Sequence, residues 1–185
     1  MKKTTILSII AVATIFLSTF KITAQKLVTT KTHFEFFSST PAEDIKAQNY
    51  KALGTIEKST GAIVFSVPMQ SFEFVKALMQ EHFNTEKFLD TKKYPKAKLV
   101  GKIGDLSKVN FDKDGTYNVE VAGDLTIHGV TKKINEKATI NIKSGKISLN
   151  SKFKITLNDY KIAFKSGKPS TNIAKVVEVT VEANY

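Results

Sequence analysis

The second half of the chain alternates between apolar and polar positions, which is the period of a β-strand with one buried face. After Thr116, one face carries apolar side chains together with Gly123: Tyr117, Val119, Val121, Leu125 and Ile127. The dipeptide His128-Gly129 follows, and it favours a turn because glycine tolerates positive φ. We therefore predict a long strand that turns back here into a second strand over residues 130–143.

The same alternation predicts two more strands towards the C-terminus, the first of them entered through a turn at residues 143–146, KSGK. Their apolar positions are Ile147, Leu149, Phe153, Ile155 and Leu157 on one strand, and Val177, Val179, Val181, Ala183 and Tyr185 on the other. The first half of the chain is less regular. Strands are predicted there around residues 33–37, 61–68 and 96–103.

One helix is predicted over residues 74–83, because Val75, Leu78, Met79 and Phe83 recur at helical spacing. The residues that follow, up to Pro95, are expected to form an irregular connection. Eight to ten short strands joined by tight turns need a closed sheet that protects their edges and apolar faces. The expected fold is therefore a single all-β domain over residues 27–185, an antiparallel barrel of about eight strands.

The N-terminus has the pattern of a secretory signal peptide. Lys2 and Lys3 precede an apolar run over residues 6–20, and Ala24 supplies a small residue for cleavage. The run is shorter than the roughly 20 apolar residues of a membrane-spanning helix. We expect residues 1–24 to be removed and the protein to be periplasmic or secreted, with an uncleaved anchor as the alternative.

Composition excludes several classes of function. The chain has no cysteine, so it forms no disulfide and has no thiolate metal site or cysteine nucleophile. All 28 basic residues are lysine, and the absence of arginine argues against nucleic-acid binding, since arginine makes the bidentate contacts to guanine and phosphate. Removal of residues 1–24 takes three lysines and no acid, so the formal net charge falls from +11 to +8. That charge is compatible with weak contact with an anionic membrane surface.

Asp124, Thr126 and His128 occupy alternate positions and invite comparison with a hydrolytic triad. They lie on the polar face of the predicted strand, opposite Leu125 and Ile127, so they would point into water. A triad needs a desolvated acid and an oxyanion hole, and neither has a candidate here. His33 and His82 are far apart in sequence, and neither has another His four residues on. We predict no catalytic residues and no metal site.

The segment VEVAGDLTIHGVTKKI, residues 119–134, resembles the signature of the YceI-like, polyisoprenoid-binding family, and residues 77–103 are similar to the family's helix and the segment after it. The matching positions are Phe34, Gly61, His82, Phe88, Tyr94, Pro95, Gly123, Leu125, Gly129 and Thr131. The sequence departs from the family pattern at LNDYKI, where Asn158, Tyr160 and Lys161 stand in place of an arginine-containing motif, and at Leu99, where Phe is usual.

The resemblance implies an exported, lipocalin-like antiparallel barrel with a long apolar cavity that holds an isoprenoid or other lipid tail and needs no cofactor. The chain has 13 phenylalanines and no tryptophan, enough apolar side chains to line such a tunnel as well as a core. The expected lipid-binding residues are Phe34, Phe36, Phe65, Phe83, Phe88, Val119, Val121, Leu125, Ile127, Leu149 and Phe153. The ligand would be an isoprenoid or a fatty-acyl lipid.

Other interpretations stay open at this point. A small outer-membrane barrel would also show a signal peptide, alternating strands and a C-terminal aromatic residue. An exported enzyme would need His82 and His128 brought together with Asp124, Glu81 or Asp90. A third alternative is an exported protein with a solid core that acts through its surface. A homodimer is compatible with the sequence.

Overall fold

The structure, a computed structural model, describes residues 25–162 and 173–185. The predicted signal peptide, residues 1–24, lies outside the described residues. The regular elements are β1 (Lys26–Thr29), β2 (Lys31–Ser39), β3 (Asp44–Asn49), β4 (Leu53–Glu57), β5 (Ala62–Pro68), β6 (Glu73–Phe74), α1 (Ala77–Asn84), β7 (Lys96–Ile103), β8 (Gly115–Ile127), β9 (Val130–Lys143), β10 (Lys146–Thr156) and β11 (Val176–Asn184).

The long hairpin predicted in the second half is confirmed. β8 and β9 pair antiparallel from Gly115 with Ile142 to Ile127 with Val130, and His128 and Gly129 form the two-residue turn between them. Both turn residues have positive φ, 49° and 73°, as a type I′ hairpin turn requires. The turn therefore fixes the register that directs the apolar positions of β8 inward.

All the strands belong to one antiparallel sheet in the order β1-β4-β5-β7-β8-β9-β10-β11-β2-β3-β6. β1 and β2 are separated only by Thr30, yet β1 pairs with β4 and β2 pairs with β11. The chain thus joins the two sides of the sheet at Thr30, and the Thr32 hydroxyl donates to the Ala52 carbonyl across this junction at 2.9 Å. The sheet curls into the predicted lipocalin-like barrel.

Over the residues that the structure describes, the barrel has 11 strands rather than about eight. The difference has two causes. One long strand is interrupted at Thr30 and counts as β1 and β2, and the short strands β3 and β6 extend the sheet beside β2. These short elements lack a long alternating pattern, so periodicity alone does not predict them.

β9 and β10 are hydrogen-bonded to each other along only about half of their length. β9 and β10 pair from Lys143 with Lys146 as far as Ala138 with Ser151. Beyond that point β9 pairs only with β8 and β10 only with β11. The Ser151 hydroxyl donates to the Lys137 carbonyl at 2.7 Å, which satisfies a backbone group at the place where the strands part. A 3₁₀ turn, Leu157–Tyr160, follows β10 and contacts both strands.

The helix differs from its prediction in both bounds and orientation. It begins at Ala77 and ends at Asn84, whereas Phe74 belongs to β6 and pairs with Ala47. Val75 precedes the helix, so helical spacing does not govern where its side chain points. Val75 is 97% exposed and Leu78 62% exposed, so the helical spacing that groups them with Met79 and Phe83 does not bury either side chain.

Helix α1 covers one end of the barrel. The connection after it, up to Pro95, consists of turns, as predicted. In the part of the chain that the structure describes, no helix combines the length and the apolar character needed to cross a bilayer.

Two turn glycines offer a test of how tightly the β8–β9 hairpin packs. Gly129 and Gly145 both have positive φ, 73° and 76°, but an added Cβ would lie 2.5 Å from the Tyr94 ring at Gly129 and would meet nothing within 4 Å at Gly145. We expect Gly145→Ala to lower the free energy of unfolding by about 1 kcal/mol, the cost of a left-handed alanine. Gly129→Ala should lower it by about 3 kcal/mol because overpacking is added. Urea denaturation measures both, and equal losses would contradict the packing against Tyr94.

Candidate functional site

A cavity of about 770 Å³ occupies the half of the barrel that lies beneath α1. Its wall is formed by inward side chains from the ends of β2, β5, β7, β8, β10 and β11, and by α1 and residues 85–89. The inward side chains are almost all apolar, among them Phe34, Val67, Leu125, Ile155 and Val179. Such a space favours an apolar ligand and offers little to a polar one.

Phe83 of α1 is the centre of the aromatic part of the wall. Its ring is stacked on Phe36, with centroids 5.6 Å apart and planes 12° apart. Phe74 lies 5.0 Å and Phe72 5.6 Å from Phe83 in tilted or edge-on geometry, and Phe88 lies 6.2 Å away. These contacts attach α1 to β2 and β6, because ring pairs at this spacing attract one another beyond their area of burial.

The cavity ends at a floor of two phenylalanines. Phe34 of β2 lines the cavity, and the Phe65 ring of β5 lies edge-on to it at 5.5 Å and 73°. Below Phe65 the barrel is filled by core side chains, including Ile56, Ile63, Ile103 and Ile140, which are fully buried. The hollow therefore extends through one half of the barrel and does not form a full-length tunnel.

The structure divides the predicted lining residues between these two halves. Those that line the cavity are Phe34, Phe36, Phe83, Phe88, Leu125, Ile127 and Phe153. Phe65, Val119, Val121 and Leu149 do not line it. Phe65 and Leu149 lie in the filled half, Val119 pairs with Ala138 at the level where β9 and β10 part, and Val121 pairs with Glu136 at the next inward position. For these four the prediction placed the side chain on the correct face of the sheet but at the wrong depth, because a two-residue period specifies the face alone.

Several lining residues were missed by the sequence prediction. Ile155, Val177 and Val179 continue the inward alternation of β10 and β11, so the periodicity contains the signal that would have found them. Phe72 and Phe74 alternate in the same way in the segment SFEF. Met69 and Ile45 have no comparable pattern, since they belong to a 3₁₀ turn and a short strand.

Polar side chains lie at the mouth of the cavity. Glu35 pairs with Lys46 at 2.7 Å, and Glu43 pairs with Lys76. His82, Thr85 and Lys87 also border the cavity, and Thr85 donates from its backbone and its hydroxyl to the His82 carbonyl at 3.2 and 2.8 Å. The mouth thus presents both charge signs, while the interior remains apolar.

Asp124, Thr126 and His128 do not contact one another. Asp124 accepts from Lys133 at 3.1 Å, and the Thr126 hydroxyl lies 2.8 Å from that of Thr131. These pairs lie on the outer surface of the β8–β9 hairpin, as predicted.

The three histidines have separate environments. His128 packs edge-on against Tyr94 at 4.7 Å and places Nδ1 3.3 Å from the Tyr160 carbonyl. His33 stacks on Tyr50 at 4.8 Å, with Nδ1 3.7 Å from a carboxylate oxygen of Glu182, and His82 borders the cavity. Among residues 25–162 and 173–185, no three His, Asp or Glu side chains come together as metal ligands would.

Two titratable groups lie where β9 and β10 part. Glu136 shares the inward phase of β9 with Ala138, and burial raises the pKa of its carboxyl group. Burial also raises the pKa of the Tyr160 hydroxyl, with further contributions from the negative charges of Asp159 and Glu136. Tyr160 belongs to the 3₁₀ turn, and neither group is part of the cavity lining.

A second depression, of about 970 Å³, lies on the outside of the barrel where the strands part. It is bordered largely by polar side chains that already have partners. Lys152 pairs with Glu178 at 2.7 Å, Lys108 pairs with Asp105 at 3.5 Å, and Asn135 donates to Glu120 at 3.2 Å. The cavity beneath α1, whose lining is mainly apolar, is therefore the stronger candidate for a binding site.

Comparison with known proteins gives a family match over most of the chain. The YceI-like domain matches residues 13–185. A UPF0312 protein of Pseudomonas putida is 32% identical over 108 residues, which cover 55% of this chain and 51% of that protein. A UPF0312 protein of Pseudomonas syringae pv. tomato is 43% identical over 61 residues, 33% of this chain and 28% of that protein. The chain thus spans about half the length, or less, of the curated relatives it matches.

Solved structures share the fold at low sequence identity. A polyisoprenoid binding domain from Saccharophagus degradans, implicated in plant cell wall breakdown, superposes with a TM-score of 0.73 at 17% identity, covering 88% of this chain and 98% of that one. BcnA of Burkholderia cenocepacia gives 0.72 at 16% identity, with 86% and 99% covered. The YceI protein of Campylobacter jejuni gives 0.56 at 20% identity, with 100% and 98% covered.

The filled half of the barrel contains an unpaired hydroxyl that can be tested. The Tyr185 hydroxyl is buried against Phe65 and Gly54 and has no hydrogen-bond partner among the described residues. Burial raises the pKa of Tyr185, so the folded state requires its neutral form. The resulting contribution to stability is complete below the ordinary tyrosine pKa of about 10 and is lost as the pH rises above it.

We expect Tyr185→Phe to raise the free energy of unfolding by up to about 1 kcal/mol at neutral pH, because the desolvation cost of the hydroxyl disappears. The variant should also lose less stability than the wild type between pH 7 and about pH 11. Tyr117→Phe is the matched control, since its exposed hydroxyl donates to the Lys113 carbonyl at 2.9 Å and its removal should be slightly destabilising. Urea denaturation at the two pH values gives the comparison, and equal alkaline losses in Tyr185→Phe and wild type would refute the assignment.

Proposed function

The chain belongs to the YceI-like family, and on that premise we propose that it is a binding or carrier protein for an isoprenoid or other long-chain lipid held in the apolar cavity. The observation that carries the proposal is the cavity itself, about 770 Å³ of space lined mainly by apolar side chains, with charged groups at its mouth. That volume is typical of small-molecule sites.

The energetics of such a site follow from burial of hydrocarbon. Each methylene equivalent moved out of water contributes about 0.8 kcal/mol before ordering costs. Affinity should rise with tail length until the tail reaches the Phe34–Phe65 floor, and further carbons should then remain at the mouth. A hydrocarbon tail requires no acid, base or metal, so the proposed role is non-catalytic.

The neighbour from Saccharophagus degradans is described as polyisoprenoid binding, and this description supports the choice of ligand class. A sequence identity of 17% shows only that the two proteins share a fold, so the ligand of this chain is a proposal. The same holds for export to the periplasm or the exterior, which is supported by the pattern of residues 1–24. A homodimer stays a prediction.

The outward face of the barrel favours an aqueous carrier over an outer-membrane barrel. Asn118, Glu120 and Asp124 of β8 point outward, and their partners across β9 are Thr139, Lys137 and Lys133. A membrane barrel needs an apolar band at these positions. The enzyme alternative has less support, because Asp124 and His128 have separate partners.

The test is mass spectrometry of the native protein and of its organic extract. Wild-type protein should retain a lipid through purification. Ala97→Phe places a ring in the cavity, since Ala97 lines it, and should reduce the retained lipid severalfold. Ala122→Phe makes the same change on the exposed face of β8 and should retain lipid as the wild type does.

A lipid-free wild-type extract, together with no rise in Tm on addition of quinones, prenols or fatty acids, would remove the proposed function. Equal lipid retention by Ala97→Phe and Ala122→Phe would show that any bound lipid lies elsewhere. Thermal unfolding of both variants establishes that a loss of lipid does not reflect a loss of fold.

A further inference from the structure

Two exposed apolar side chains lie on a segment that borders the cavity, where Lys76 pairs with Glu43 of the cavity lining. Val75, in the bend before α1, is 97% exposed, and Leu78, in its first turn, is 62% exposed. Each is next in sequence to a residue of the cavity wall, Val75 to Phe74 and Leu78 to Met79. We call Val75 and Leu78 the rim pair. It places exposed apolar surface beside the wall of the cavity.

Single exposed apolar residues are common and usually need no explanation. Val28 and Val100, which are 58% and 47% exposed, are examples, because they lie on the outward face of the sheet. The rim pair differs in its position. A lipid tail that enters or leaves the cavity must cross the mouth, and exposing the tail to water there is costly in proportion to its apolar area.

We propose that the rim pair and α1 form a contact site for the surface of a lipid bilayer. Val75 and Leu78 enter the interfacial layer and bring the cavity mouth against the lipid, so that a tail passes between bilayer and cavity without full exposure to water. The exchange step rests on the proposed function, whereas the contact itself rests on the exposed residues of α1 and the bend before it.

The size of the rim pair favours a bilayer over a protein partner. A stable protein interface buries about 800 Å² on each side, much more than two aliphatic side chains offer. Interfacial insertion needs only a few apolar side chains on one face of a helix. A second copy of this chain would need further apolar surface around the mouth, but the neighbouring exposed residues include Lys76, Glu81 and Lys87.

The charges around the rim pair set the expected lipid dependence. Lys76 is paired with Glu43, and exposed Lys87, Lys92 and Lys93 lie in the same region of sequence as Glu81. Because both signs occur, the apolar contact should dominate. Binding should therefore persist at about 1 M NaCl, where the screening length is only about 3 Å.

The experiment measures co-flotation of the purified protein with vesicles of phosphatidylethanolamine and phosphatidylglycerol, at low salt and at about 1 M NaCl. The double variant Val75→Ser/Leu78→Ser should bind vesicles about tenfold more weakly, the effect expected when partial burial of two aliphatic side chains is lost. The matched control is Val28→Ser/Val100→Ser, which removes two exposed valines away from the mouth and should bind as the wild type does. Both variants keep the same N-terminal residues, so their difference reports the rim pair.

A separate measurement follows binding of a fluorescent fatty acid below its micellar concentration, without vesicles, by wild type and both variants. Equal binding by all three, with vesicle association reduced only in the rim variant, supports the proposal. Vesicle association that is unchanged in the rim variant, or abolished by salt in every variant, overturns it and leaves the lipid-binding function intact. If the wild type does not bind the fatty acid but its vesicle association still depends on the rim pair, the proposed lipid-binding function is overturned and the bilayer contact is retained.

Discussion

The parting of β9 from β10 is the constraint on which the rest of the architecture depends. Up to the row formed by Ala138 and Ser151 the two strands are hydrogen-bonded, and the inward side chains on that side of the row form a filled core. Past that row β9 pairs only with β8, and β10 pairs only with β11. The cavity lies in this half, where the ring of strands has lost one hydrogen-bonded pair and the wall is completed by a 3₁₀ turn and a helix.

The two halves of the barrel differ in role: the filled half stabilises the fold, and the other half surrounds the cavity. Branched aliphatic side chains such as Ile56, Ile63 and Ile140 pack densely in the filled half and supply stability through burial. In the other half, phenylalanine rings contact one another in the wall and floor and leave a space between them. Rings suit this role because they bury a large area with few rotatable bonds, so the wall keeps its shape where a filled core is missing.

Sequence reasoning succeeded where a single local rule determines the structure. Strict alternation from Thr116 onward predicted β8 to β11, and His128-Gly129 predicted the turn, because both signals depend only on neighbouring residues. It failed where long-range contacts decide. Val75 follows helical spacing with Phe83 but lies outside the helix, and Phe65 and Leu149 have the correct inward phase but do not line the cavity. Depth along a barrel axis depends on how opposite walls meet, which alternation does not encode.

The segment that carries the family resemblance acts on the cavity in two ways: Leu125 and Ile127 line it directly, and the end of the hairpin holds other parts of its wall. Asp124, Thr126 and His128 have the residue types of a triad, yet the contacts of the hairpin end are structural. His128 and Gly129 pack against Tyr94, which closes the segment whose residues 85–89 line the cavity.

His128 also lies against the carbonyl of Tyr160, at the end of the 3₁₀ turn whose Leu157 lines the cavity as well. The two irregular parts of the wall are residues 85–89 and the 3₁₀ turn. Neither has a strand partner, and both are held by contacts with the same hairpin turn. Tyr160 belongs to the motif that departs from the family pattern, and its main-chain carbonyl makes this contact. The attachment therefore does not depend on the side chain at that position.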